Sequence, residues 1–217
     1  ASIILYIKLK NLSIQKDVHK TKHESKIKET FIKLLPLFSI LSGFIVFKST
    51  IKLAVTLFLP TYLTSNGQSL WLAGISLSVL QFSGAIGTFF AGQLSDKFGR
   101  KNILLIVSIA NPILMWLFVN LDGIYTIPIL IVMGFFLFAS GPVVLALVQD
   151  TDSKHPSFVN GIYMTINFGV SSLMVLLIGF LGDKYGLDFT YKMCAFASIG
   201  AIPFIMFLKN NKINDGK

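Results

Sequence analysis

Long apolar runs separated by short polar turns fill the chain from residue 34 onward. Six runs can be marked, at 34–63, 70–94, 103–121, 124–149, 158–181 and 189–208. Each is close to or above the ~20 residues an α-helix needs to cross a bilayer. The runs are continuous and lack the two-residue alternation of a lipid-facing barrel strand, so helices are expected throughout. Turn residues punctuate them: Asn66-Gly67, Asp122-Gly123, Asp152-Ser153 with Pro156, and the stretch 183–188. The first run is longer than a crossing requires, which predicts tilt, a bend or a partly interfacial start.

The remainder of the chain is organised around this six-helix domain, placed at 34–208. Residues 1–7 are apolar but too short to span, and read as the end of a truncated transmembrane helix with something upstream missing. Residues 8–33 form a basic linker with eight lysines and three acids. Within it, Ile27 and Phe31 lie four apart among lysines, which suits a short interfacial helix and a solvated tether equally. Residues 209–217 are a basic tail.

Composition agrees with the pattern. Of the 217 residues 53% are hydrophobic and 13% charged, against ~25% charged in soluble domains, and the mean hydropathy is +0.72. That describes an all-α polytopic membrane protein. The net charge of +9 does not imply nucleic acid, because the lysines mark loops rather than one face. Fifteen basic residues fall in the linker, the turn around Asp96, the Lys154 loop and the tail, against Lys184 and Lys192 on the other side. The charge rule therefore predicts a cytoplasmic linker and C-terminus in the cell membrane. Trp71, Tyr62, Trp116 and Tyr125 fall near the opposite helix ends, as an interfacial aromatic belt requires.

A repeat lies inside the domain. Gly92-Gln-Leu-Ser-Asp96-Lys97-Phe-Gly99-Arg100-Lys101 aligns without a gap with Gly179-Phe-Leu-Gly-Asp183-Lys184-Tyr-Gly186-Leu187-Asp188, 87 residues later. The match extends upstream, with Gly74-Ile75 falling on Gly161-Ile162. Three crossings separate equivalent positions, so the copies face opposite sides: an inverted repeat of three helices plus three. The basic pair Arg100-Lys101 becomes Leu187-Asp188 in the second copy. Arg100 is the only arginine in the chain.

The first copy resembles the loop signature of the major facilitator superfamily. Phe58-Leu59-Pro60-x-Tyr62-Leu63, Gly141-Pro142-Val143 through Gln149, and Asn160-Gly161-Ile162 are similar more narrowly to its fosmidomycin-resistance-like branch. The resemblance covers the chain and implies the C-terminal half of a facilitator fold, helices seven to twelve. It also implies a missing N-terminal six-helix half as partner, and a secondary transporter moving a drug or small anion outward by alternating access. Gly92, Asp96, Lys97, Gly99, Arg100 and Lys101 would then form a cytoplasmic latch against that half, weakening as the transporter opens inward. On physical grounds the glycines permit close approach and reversal. Asp96 can meet a helix N-terminus, with Arg100 and Lys97 near enough to hold it. A charged turn that only sets topology is the plainer alternative.

Lys48 and Lys52 are anomalous. They lie four apart, on one face and deep in the first helix, where an ionisable group is costly and points to function. An anionic substrate, or a carboxylate in the other half, is the expected partner; snorkelling to the interface is the alternative, stronger for Lys52. Asn167 is a further candidate for the cavity. Gln81 and Asn111 are expected to bond between helices, and Gly84, Gly87 and Ala91 to form a small-residue packing stripe. Gly141-Pro142 should bend the fourth helix, as a hinge or a static kink. The acids lie in loops or at helix ends, and no metal-ligand spacing, phosphate loop or dinucleotide fingerprint is present. Neither metal nor cofactor is expected, Cys194 reads as core, and protons are the candidate coupling ion. A membrane-embedded enzyme or a non-transporting scaffold of similar fold is the rival reading.

Overall fold

A computed structural model describes residues 20–208 except 122, 152 and 154, with side chains described from Thr30 onward. The expected end of a truncated helix at 1–7, the first part of the linker and the tail lie outside the described residues. Seven α-helices follow in order: α1 Lys20–Ser65, α2 Leu70–Phe98, α3 Arg100–Asn120, α4 Thr126–Gln149, α5 Pro156–Tyr185, α6 Leu187–Ser198 and α7 Ala201–Met206. A 3-10 turn, Gly123–Tyr125, leads into α4. No strand occurs among the described residues. Among the described residues six spans are long and apolar enough to cross a membrane, and α6 and α7 together make the last, Leu187–Met206. The fold is the expected all-α polytopic bundle.

α1 takes in residues 20–33, the part of the linker that suits an interfacial helix and a tether equally from its sequence. The helix begins at Lys20 and runs into the span without a break. Lysine, glutamate and isoleucine are all compatible with a helix, and nothing between 20 and 34 is a glycine or proline to stop it. At ~1.5 Å per residue its 46 residues reach about 69 Å, far more than a bilayer core, so its basic end extends past the span.

Single glycines join the aligned helix pairs. Gly99 (φ +90°) separates α2 from α3, and Gly186 (φ +84°) separates α5 from α6. Both positions need a backbone that only glycine adopts freely, and they are the equivalent glycines of the repeat. Packing obeys the same symmetry. The first helix of each repeat lies on the second helix of the other: α4 packs most extensively on α2, and α1 on α5, while α3 and α6 meet between them.

The α2–α4 contact is close because small residues face it. A Cβ on Gly87 would meet the Phe135 carbonyl, one on Gly134 the Leu80 carbonyl, and one on Gly84 the Phe138 ring. Ser83 Oγ donates to the Ile131 carbonyl at 2.5 Å. Without a hydrophobic drive between helices in lipid, such approach is what holds them. Gly87→Ala is therefore expected to lower stability by ~1–3 kcal/mol through overpacking. The check is the thermal midpoint of the purified intact protein. Gly74→Ala is the control, since a Cβ there meets nothing within 4 Å.

Two apolar cores fill the bundle, one towards each end. The first gathers Phe38, Leu41, Phe44 and Ile45 of α1 with Leu104, Val143, Val144 and Ile205. The second gathers Ile51, Val55 and Leu59 with Met115, Leu130, Met133, Leu137 and Tyr191. Tyr62 belongs to this second core rather than to the expected aromatic belt. It is 4% exposed and stacks on Tyr191 at 4.3 Å, whose hydroxyl donates to the Ala54 carbonyl at 2.9 Å. Trp71, Trp116 and Tyr125 are exposed as a belt requires. Cys194 is buried in the second core.

Candidate functional site

On α1 the two cores meet between Ile45 and Ile51, and on α4 between Leu137 and Ala139. Lys48 and Lys52 occupy that waist. Lys48 Nζ lies 5.9 Å from the Phe44 ring centre, and Lys52 Nζ 5.2 Å from that of Phe138 on α4. These are cation–π contacts, worth about 0.5–2 kcal/mol, well below what a paired charge gains. Neither ammonium has an ion pair or hydrogen bond among the described residues. One turn further, Thr56 Oγ1 is buried without a hydrogen bond, so α1 presents Lys48, Lys52 and Thr56 at four-residue spacing.

On α5, which packs against α1, Asn160 Oδ1 is likewise buried without a partner. Asn167, two turns on, is partly buried. Unpaired polar groups within transmembrane helices are costly and point to function. Gln81 and Asn111 do not make the interhelical bonds expected of them. Gln81 is exposed, and Asn111, though buried, leaves Oδ1 unpartnered. The helix α4 continues through Gly141-Pro142 to Gln149, and a Cβ on Gly141 would meet nothing within 4 Å.

The signature turn forms a second polar centre, at one end of the bundle. Arg100 Nε donates to Asp150 Oδ2 at 2.9 Å, and Nη1 reaches Asp96 Oδ1 at 2.5 Å and Ser95 Oγ at 2.6 Å. Lys101 Nζ donates to the carbonyls of Met206 and Leu208 at 2.8 and 2.6 Å. Two cations at the first turn of α3 oppose that helix's own dipole. They are placed there because the C-termini of α2, α4 and α7, the negative ends of three helices, converge on them. Asp150, unremarked in the sequence, is the firmer partner of Arg100. The Asp96 side chain is 64% exposed against 43% for Asp150, and exposed pairs contribute little, about 0–1 kcal/mol.

This geometry changes the expected roles within the turn. Arg100 holds Asp96, while Lys97 extends over the Phe98 ring instead. Lys101 is committed to capping α7 within the bundle. Gly99 supplies the reversal, and Gly92 sits in open space. In the second copy the polar hub is absent. Leu187, aligned with Arg100, folds towards Gly182, which is aligned with Ser95.

Comparison with known proteins places these features in a family. The profile described as Major Facilitator Superfamily matches residues 2–173. The chain is 26% identical over 226 residues to the Fosmidomycin resistance protein of Escherichia coli (strain K12), covering 99% of this chain and 54% of that protein. It is 25% identical to an uncharacterized transporter of Buchnera aphidicola subsp. Schizaphis graminum (strain Sg), over 91% of this chain and 47% of that one. An uncharacterized MFS-type transporter of Bacillus subtilis (strain 168) is 26% identical over 58% of the chain. The chain thus spans about half the length of the first two of these relatives.

Proposed function

Because this chain belongs to the major facilitator superfamily, we propose that it forms one six-helix half of a secondary transporter that exports a small solute by alternating access. The observation carrying this reading is the unpaired Lys48–Lys52 pair at the waist of the bundle. Substrate and coupling-ion sites of such transporters lie near the bilayer midplane, between two repeats that rock about them. A second six-helix half facing Lys48, Lys52 and Asn167 completes the cavity. An anionic solute, or a carboxylate of that half, neutralises the lysines, and protons are the counter-ion of antiport.

Loop charge puts the Arg100 end on the cytoplasmic side of the cell membrane. There Arg100 fixes the turn so that Asp96, largely exposed, is offered to the other half as a latch. The similarity to a fosmidomycin resistance protein supports export of a fosmidomycin-like drug. Cells producing the intact protein should accumulate less fosmidomycin and survive higher concentrations than cells without it. Equal accumulation in the two would remove that solute class from the proposal.

A further inference from the structure

The end of the bundle opposite Arg100 holds a cavity of about 410 Å³ where α1, α3, α4 and α6 meet. That lies within the ~300–1,000 Å³ of small-molecule sites. Its floor is rigid: Tyr62 stacks on Tyr191 at 4.3 Å and tilts against Phe118 at 5.6 Å. Its rim carries Asn66, Gln68, Thr126, Asp188 and Lys192.

The charges on this rim are exposed to solvent and are less tightly held than those of the aligned turn. At the Arg100 end, Lys101 is held by two carbonyls and Arg100 by two carboxylates. Asp188, aligned with Lys101, accepts from Asn66 Nδ2 at 3.4 Å, longer than the ~3.2 Å limit of a good N–H···O bond. Lys192 has no ion pair or hydrogen bond among the described residues. The two lie four apart on α6, about 6 Å along its axis, and do not pair with each other within 4.0 Å. A simple cation on Asp188 would meet Lys192, and a simple anion on Lys192 would meet Asp188. A molecule carrying both charges satisfies both.

We infer that this cavity binds a zwitterion, its ammonium on Asp188 and its anionic group on Lys192, with the Asn66 and Gln68 amides completing the shell. Two sources share that chemistry: the headgroup of a zwitterionic phospholipid and a free zwitterionic solute. The cavity lies where the α6 span begins, at Leu187, a depth that either can reach.

The test uses the purified intact protein in phosphatidylglycerol nanodiscs, titrated with glycerophosphoethanolamine, and in nanodiscs containing phosphatidylethanolamine. A raised thermal midpoint is expected in at least one of these, and ethanolamine or phosphate alone should not produce it. Protection by the soluble probe assigns a free solute, and protection by the lipid alone assigns a headgroup. Asp188→Asn and Lys192→Gln, both at exposed positions, should each weaken the effect at least ~10-fold in the concentration required. The exchanged pair, Asp188→Lys with Lys192→Asp, should recover it. No shift from either source, or a shift unchanged in both single variants, would overturn the inference.

Discussion

Replacing Lys48 by alanine in the intact protein is expected to abolish transport while leaving the fold at least as stable as before. The two halves of this expectation have the same cause. An ammonium at the centre of a transmembrane helix costs ~2.5–3.5 kcal/mol on insertion scales, and among the described residues Lys48 offsets that only with a ring contact to Phe44. Removing it relieves the cost, so the thermal midpoint should hold or rise. In the proposed transport cycle the same ammonium would be the charge that meets the solute. Losing one partner of a desolvated charge pair costs about 2–5 kcal/mol, enough for a ~30- to 4,000-fold fall in apparent affinity. Lys52→Ala should do less, because Lys52 can also reach towards the interface. Efflux assays in vesicles together with melting curves separate the cases. A variant that transports normally would remove Lys48 from the cavity, and one that fails to fold would make it a structural residue.

Arg100→Ala is the second large effect. Arg100 joins the ends of α2 and α4 through Ser95, Asp96 and Asp150, and its side chain is 20% exposed. Without it two carboxylates are left near each other with no cation between them. Charge-assisted bonds of this kind contribute about 1.5–3 kcal/mol each when shielded. Discounting for the exposure of Asp96, we expect a shift of ~5- to 30-fold in the population open at this end. Lys97→Ala should have almost no effect, since Lys97 lies over Phe98 rather than on the carboxylate. The readout is the rate at which Asn167→Cys, in a Cys194→Ser background, reacts with a membrane-impermeant thiol reagent added from the Arg100 side.

The spans were legible because hydropathy acts locally. A run of apolar residues bounded by Asn66-Gly67 or by Gly99 must be a helix and must end there. Two of the positive-φ glycines are paired by the sequence itself, since Gly99 and Gly186 occupy the same place in the repeat. The beginning of α1 was not legible, because a lysine-rich segment with ordinary helix propensity satisfies a tether and a helix alike. Tyr62 was misplaced for a related reason. Position along a helix gives its depth but not its face, and stacking on Tyr191 draws it inward.

The polar centres divide along the same line. Lys48 and Lys52 stood out because charge at membrane depth is anomalous whatever surrounds it. Thr56 and Asn160 did not, since a threonine or asparagine in a helix ordinarily finds a carbonyl, and only packing reveals that these have not. Asp150 looked like one loop acid among several. The one available hint was that a lone arginine at a helix start needs an anion from elsewhere. Lys101 read as half of a basic pair, yet three converging helix ends give it and Arg100 different work.

In the proposed cycle the waist site opens alternately to the two sides of the membrane, with the Arg100 end as one gate. Labelling Asn167→Cys in the Cys194→Ser background of the intact protein, with impermeant reagent applied to one side at a time, is the test. The account predicts reaction from both sides, and Arg100→Ala raising the rate from the Arg100 side while lowering it from the other. Reaction from one side only, at a rate that Arg100→Ala leaves unchanged, would contradict it.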